Sequence, residues 1–255
     1  MEQELRRYLM EEILPMYDRF DEGHDRTHVD RVLRNARKLA EEYGADQDMV
    51  EVIALYHDIG LEGGREEHQL LSGKRLREDS MLKRWFSPEE IELMAQAVED
   101  HRASAEIQPR SLYGKIVADA DREYQPERLV HRSLRYGRSQ YPSLTTEQQY
   151  QRTWEHCKNK YGPDGYARFY LKDARTDQDL ARLHALLQNR EAFFQLCQRE
   201  DVKEIPLRAQ ERTQTGSQRR REATKSRIEL FLRLHVLRTV EWTPSPCFGQ
   251  ARRRT

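Results

Sequence analysis

The stretch DRTHVDRVLRNARKLAEEYG, residues 25–44, decides how the chain is read. Its apolar positions Val29, Val32, Leu33, Ala36, Leu39, Ala40 and Tyr43 recur at three- and four-residue steps. That spacing gathers them on one stripe of an α-helix and leaves charge on the opposite face. Gly44 is a natural stop, and His24-Asp25 reads as the capping and orienting pair at the start. The same period continues outward. Gln47 to Ile59 carries Val50, Ile53, Ala54 and Tyr56 and is closed by Gly60. Glu66 to Lys83 places Leu70, Gly73 and Leu76 on one side. Ser87-Pro88-Glu89-Glu90 predicts a capping box with proline at the first helical position, followed by the stripe Ile91, Met94, Ala95 and Val98. Ser111 to Tyr124 forms a fifth helix through Leu112, Ile116, Val117 and Ala120. Residues 125–146 read as broken by Pro126, Gly137 and Pro142, and Glu147–Lys160 and Asp177–Arg199 as helical again, either side of the YGPDGY turn at 161–166. Strand alternation and repeats are absent from the pattern. The expected fold class is therefore all-α, a compact multi-helix bundle.

Charge divides the chain. Lysine plus arginine and aspartate plus glutamate both number 44, yet residues 201–255 hold 13 basic and 6 acidic groups. The body over 1–200 is accordingly acidic, which argues against a nucleic-acid surface there. Residues 207–226, LRAQERTQTGSQRRREATKS, are polar with few bulky apolar side chains. We expect 1–200 to be the folded domain and 201–255 a basic, poorly ordered extension. No run of about 18 apolar residues exists, so a membrane-spanning helix is not expected. The first residues carry acids and lack the apolar stretch of a signal peptide. The three cysteines, Cys157, Cys197 and Cys247, are isolated. They suit a cytoplasmic protein better than a disulfide framework or a cysteine zinc site.

Polar residues stand where this pattern predicts core. His28 opens the first stripe, His57-Asp58 closes IALYHD, His101 falls three residues after Val98, and Asp119 and Asp121 follow Ile116 and Val117. A lone histidine on an apolar stripe is more often a hydrogen-bonded core residue than a ligand. A group of imidazoles and carboxylates is different, because a buried carboxylate without a partner costs several kcal/mol. Converging on a divalent cation satisfies them together, and a bundle interior is a common place for such a site.

The order of these residues resembles the HD superfamily of metal-dependent phosphohydrolases. The matching pieces are HDRTHVDRVLRNA (24–36), IALYHDIG (53–60), EEHQLLSGKRL (66–76), VEDHRAS (98–104) and KIVADADRE (115–123). The resemblance implies an all-α bundle with a central metal site whose ligands are His28, His57, Asp58 and Asp121. Asp121 is preferred over Asp119 because it stands in the family's Ala-Asp-Arg setting; Asp119 would orient a ligand or a nearby arginine. His68 and His101 sit where some members carry extra histidines. They would hold a second ion bridged by Asp58, or contact phosphate or the attacking water around a single ion. The ion would be Mn, Fe, Co, Ni, Zn or Mg. HDIGLEGG, with Leu61 and Glu62, lacks the acidic pair of the members that hydrolyse guanosine polyphosphates. A Gly-Tyr-Pro signature of cyclic-di-GMP-specific members is also missing.

A bound divalent ion lowers the pKa of its water toward about 7 and polarises a phosphoryl oxygen. The remaining need is charge neutralisation and positioning. Lys115, Arg102 and Arg122 would supply cations, and Glu62 or Asp119 would accept a proton. Asp58, Lys115, Asp119 and Arg122 are thus the groups expected to take part in the chemistry. Tyr113, Tyr124 and Tyr136 offer aromatic contacts to a nucleotide. The expected partner is a small phosphorylated substrate such as a nucleotide, cleaved at an ester or anhydride. The rival expectation is a non-catalytic sensor of metal or nucleotide on the same fold. A Walker loop, a GxGxxG turn and a serine nucleophile elbow are not present in the sequence.

Overall fold

The computed structural model of the protein describes residues 3–21, 23–105, 107–171 and 174–202. The expected extension at 201–255 lies outside them from residue 203 onward. Every regular element among the described residues is helical. The amino-terminal segment, to which the periodicity assigned no element, is α1 (Gln3–Tyr8), continued by a π-turn at Leu9–Ile13 and a 3-10 turn at Leu14–Arg19. Leu5, Leu9, Ile13 and Tyr17 recur every four residues and are all buried.

The helix read first is present as α2 (Arg26–Tyr43). The Asp25 carboxylate caps it by accepting from the backbone of Thr27 and His28, and Gly44 ends it with φ of 67°. The next helix, α3 (Gln47–Tyr56), is shorter than its apolar run because the chain leaves helical geometry at Asp58. α4 (His68–Glu78) stops before the expected Lys83. Asp79 is extended there, and its carboxylate accepts from the hydroxyls of Tyr8 and Tyr56. α5 (Pro88–Glu99) starts with the predicted capping box, and α6 (Leu112–Asp121) with Ser111 as its cap.

The break expected at 125–146 is instead α7 (Pro126–Gln140). Pro126 occupies the first turn, where an N–H would have no partner. Gly137 lies inside the helix because Gln149 and Arg152 leave no room for a Cβ. α8 (Thr146–Tyr161) matches the reading and is capped by Thr145 with Gln148. The helix expected over 177–199 is two, α9 (Ala174–Gln188) and α10 (Arg190–Asp201). Asn189 divides them, and its side chain accepts from Ala192 N at 3.0 Å to cap the second.

The apolar stripes close into three clusters. One joins α1, α3 and α5 around Leu9, Ile53, Tyr56 and Met94. A second joins α2, α3 and α6 around Val32, Ala36, Ala54 and Ile116. The third holds α7 to α10 together around Val130, Cys157, Leu183 and Phe193. Each fully buried leucine, isoleucine or phenylalanine contributes roughly 2–3 kcal/mol. α3 lies between the first two clusters, so its carboxyl end opens in the middle of the bundle.

Candidate metal centre

Five elements deliver imidazoles and carboxylates to that point. Asp25 starts α2 so that His28 falls in the first turn with its ring buried. α3 ends at Tyr56; His57 remains near helical geometry, and Asp58 takes φ −113°, ψ 3°. This departure to the bridge region lets two adjacent residues face one point, where a continuing helix would set them about 100° apart. His68 begins α4, His101 follows α5, and Asp121 ends α6.

Asp58 is the centre of the arrangement. Its Oδ2 lies 3.3 Å from His28 Nε2 and 3.2 Å from His57 Nε2. Its Oδ1 lies 3.4 Å from His68 Nε2 and 3.5 Å from His101 Nε2. The two nitrogens of the first pair are 3.1 Å apart and those of the second 3.2 Å. Asp121 Oδ1 joins the first pair, 3.3 Å from His28 and 3.9 Å from His57. Donors about 2.1 Å from a shared ion are themselves about 3.0–3.4 Å apart at octahedral or tetrahedral angles. The set therefore fits two ions: His28, His57 and Asp58 on one side, with Asp121 beside them, and Asp58, His68 and His101 on the other.

The ring orientations agree. His57 Nδ1 faces the Ala54 carbonyl at 2.7 Å, His68 Nδ1 that of Arg65 at 2.9 Å, and His101 Nδ1 that of Val98 at 2.6 Å. A carbonyl only accepts, so each Nδ1 donates and each Nε2 is the atom turned to the centre. The electrostatics call for added positive charge. Burial pulls the His57 imidazolium down, but Asp58 and then Asp121 outweigh it and hold its pKa up at about 9. Burial lowers His28 to about 4 against the pull of Asp58 and Asp121. Burial and neighbouring His101 lower His68. Burial would raise Asp58, but His57 and bonds from His101 and His28 hold it well below the ordinary range. His28 and His57 likewise overcome burial at Asp121. The Asp121 side chain keeps 25% of its surface exposed, so the centre opens to solvent on that side.

The other expected residues divide. Arg122 is buried, with its guanidinium over Phe169 and Tyr170 and 3.5 Å from Asp119. Asp119 is two residues from Asp121, about 200° around α6. Its carboxylate accepts from Tyr170 N at 2.9 Å and Leu171 N at 2.8 Å, away from the cluster. Burial raises its pKa to about 6 against those bonds. Lys115 is half-buried a further turn back on α6, and no contact brings it to the cluster among the described residues. Arg102 spans to Ser104 and the Glu66 carbonyl beside His68. Glu62 is held by Arg19 and Arg75.

Three residues near the centre escaped the sequence reading. Arg31 is buried and donates to the carbonyls of Ala120 and Asp121, at 3.2 and 2.8 Å. Its position three after His28, one helical turn along the same side of α2, was the available signal. Tyr17 donates to Leu55 O at 3.0 Å and receives Asp58 N at 3.4 Å. Lys160 lies in the last turn of α8: burial pulls its ammonium down, Asp121 draws it up, and Arg132 and Arg122 push it down again. A lysine in the last turn of a polar helix carries no sign of this in sequence.

Residues 26–124 match the family model of the HD domain. A crystal structure described as that of a predicted HD superfamily hydrolase from an uncultured Thermotogales bacterium is similar at 23% identity. It covers 60% of this chain and 83% of that one, with a TM-score of 0.40. No curated protein matches the chain. No helix among the described residues is long and apolar enough to cross a membrane.

Proposed function

We propose that the chain, whose residues 26–124 match the HD-domain family model, is a metal-dependent phosphohydrolase acting on a small phosphorylated compound of the nucleotide class. The observation that carries the reading is Asp58, each of whose carboxylate oxygens faces its own pair of imidazoles. His28, His57, Asp58 and Asp121 would hold one divalent ion, and Asp58, His68 and His101 a second. Ions so placed supply Lewis-acid activation of water and of a phosphoryl oxygen.

The protein's own groups do the rest. The exposed edge of Asp121 is where a phosphoryl group can approach. Lys160, within its electrostatic reach, would offset phosphate charge against an acidic body. Tyr17 holds the backbone of Asp58, and Arg31 pins the end of α6 that carries Asp121. Arg31 also lies 3.1 Å from His28 Nδ1. A guanidinium only donates, so Nδ1 accepts from it. Ligation through Nε2 requires the proton on Nδ1, and Arg31 must then turn to the Asp121 carboxylate, 3.9 Å away. A cytoplasmic location belongs to the same proposal and rests on the isolated cysteines.

Elemental analysis of protein purified without chelator should find two transition-metal ions per chain. Phosphate release from a panel of nucleotides and sugar phosphates, with Mn, Co, Ni or Mg added, should show turnover that His57→Ala abolishes. Tight nucleotide binding without turnover under any of these metals would replace the enzyme by a sensor.

A further inference from the structure

A cavity of about 300 Å³ lies between α2, α6 and the start of α7, and none of the six cluster residues lines it. Asp119 lines it while Asp121 faces His28, so α6 stands between the two sites. On α2 its walls are Arg31, Arg34 and Lys38. Their spacing of three and four residues puts them on one helical stripe. Arg128, in the first turn of α7, adds a fourth cation. The acids of the wall are already engaged. Asp119 accepts the backbone N–H groups of Tyr170 and Leu171, and Glu123 lies 3.6 Å from Arg31 and accepts from Gln125 N. Arg34 and Arg128 are exposed, and no acidic partner meets either among the described residues. The first-turn N–H groups of α7 also lack a side-chain cap, which favours an anion at this end. The apolar part of the wall includes Tyr124 and Phe169, a T-shaped pair with centroids 5.7 Å apart.

We infer that this cavity is a second binding site, separate from the ion cluster, for a small phosphorylated compound bearing a planar ring. Phosphate oxygens would meet Arg34, Lys38 and Arg128, and the ring would lie against Tyr124 and Phe169. The volume falls at the lower end of those that enclose small molecules, about 300–1,000 Å³. Binding here does not require the hydrolytic reading to hold, because it can be measured with the ions removed.

The test is calorimetric titration of the full chain with ADP, in chelator, on the wild type and on His57→Ala. Both should bind ADP, and Arg34→Glu with Arg128→Glu should weaken that binding at least tenfold in either background. Both arginines are exposed, so the double variant should keep the parent's Tm. In metal-loaded protein the same pair should leave ion content and substrate KM unchanged. The inference fails if ADP does not bind the chelated chain, or if the charge reversals leave its affinity intact. It also fails if KM rises in step with the loss of ADP binding, for the cavity would then be part of the substrate site. Absence of turnover with every metal would overturn the hydrolase and leave the ADP result standing.

Discussion

Gly60→Ala tests how the second half of the ion centre is held in place. Gly60 lies two residues after Asp58 and is packed against α4. A Cβ there would sit 2.7 Å from Ser72 N and 2.9 Å from Ser72 Oγ, with the His68 carbonyl closer still. The nearest obstacles are backbone, so no rotamer change relieves them. Ordinary contact needs about 3.5 Å, and α4 would have to retreat by about 1 Å. The retreat also stretches the 2.9 Å bond from Gly60 N to Ser72 Oγ. Overpacking of this kind costs about 1–3 kcal/mol, and a weakened buried hydrogen bond about 1 kcal/mol more. The functional effect is more selective. His68 rides on α4 and faces Asp58 Oδ1 at 3.4 Å, whereas His28, His57 and Asp121 do not. On the proposed two-ion reading, the variant should lose the ion at His68 and His101 and keep the other. A misplacement of about 1 Å in a reacting centre lowers rates on the order of 100-fold. Elemental analysis reads the ion count, thermal unfolding the stability and phosphate release the rate. A variant with two ions per chain and the parent's Tm would refute the packing argument.

Other outcomes follow from single contacts. Tyr17→Phe removes the hydroxyl that Leu55 O and Asp58 N share, so unfolding in urea should show a loss of about 1–2 kcal/mol. The same variant should bind ions about 10- to 100-fold more weakly, read by competition with a chelating dye. Arg77 pairs with Glu92 at 2.7 Å and with Glu99, joining α4 to α5. Its bonds lower Glu92 to about 2 and, against burial, lower Glu99. A depressed carboxylate stabilises the fold above its unfolded pKa of about 4.5 and loses that contribution as pH falls through the folded value. Arg77→Ala should therefore lower Tm at pH 7, with the gap to the parent closing between pH 4.5 and about 2; a gap constant across that range would rule the pairing out as a source of stability. Removing the ions with EDTA should lower stability by about 3 kcal/mol where free metal had been at about 100 times its Kd, and adding Mn or Co should restore it. An unchanged Tm on chelation would mean that the cluster binds no ion tightly in the folded protein.

The helices of the body were legible because burial imposes a period on sequence. A stripe such as Val29, Val32, Leu33 and Ala36 has one satisfactory arrangement, against another helix. Caps were legible for a similar reason: Asp25 and Ser87 carry the side-chain acceptors that free N–H groups need. The misreadings came where a residue's usual meaning depends on context. Gly137 signals a break in sequence, yet here it makes room for Gln149 and Arg152 inside α7. Gly60 reads as a helix stop in the sequence, but the helix ends earlier, and Gly60 is needed where α4 approaches.

The candidate ligand set stands out as polar residues on apolar stripes, since an unpartnered buried charge is expensive. Sequence alone could rank Asp121 above Asp119 only through the family resemblance. Which of the two faces His28 is decided by the rotation of α6, and that depends on how Val117 and Ile116 pack into different clusters. The division of Asp58 between two pairs of imidazoles, and the electrostatic coupling of Lys160 to Asp121, also arise only in three dimensions. These contacts join residues tens of positions apart, and their geometry is set by helix crossings rather than by local sequence. Periodicity could therefore say which side chains turn inward, while only the packed bundle decides which of them meet.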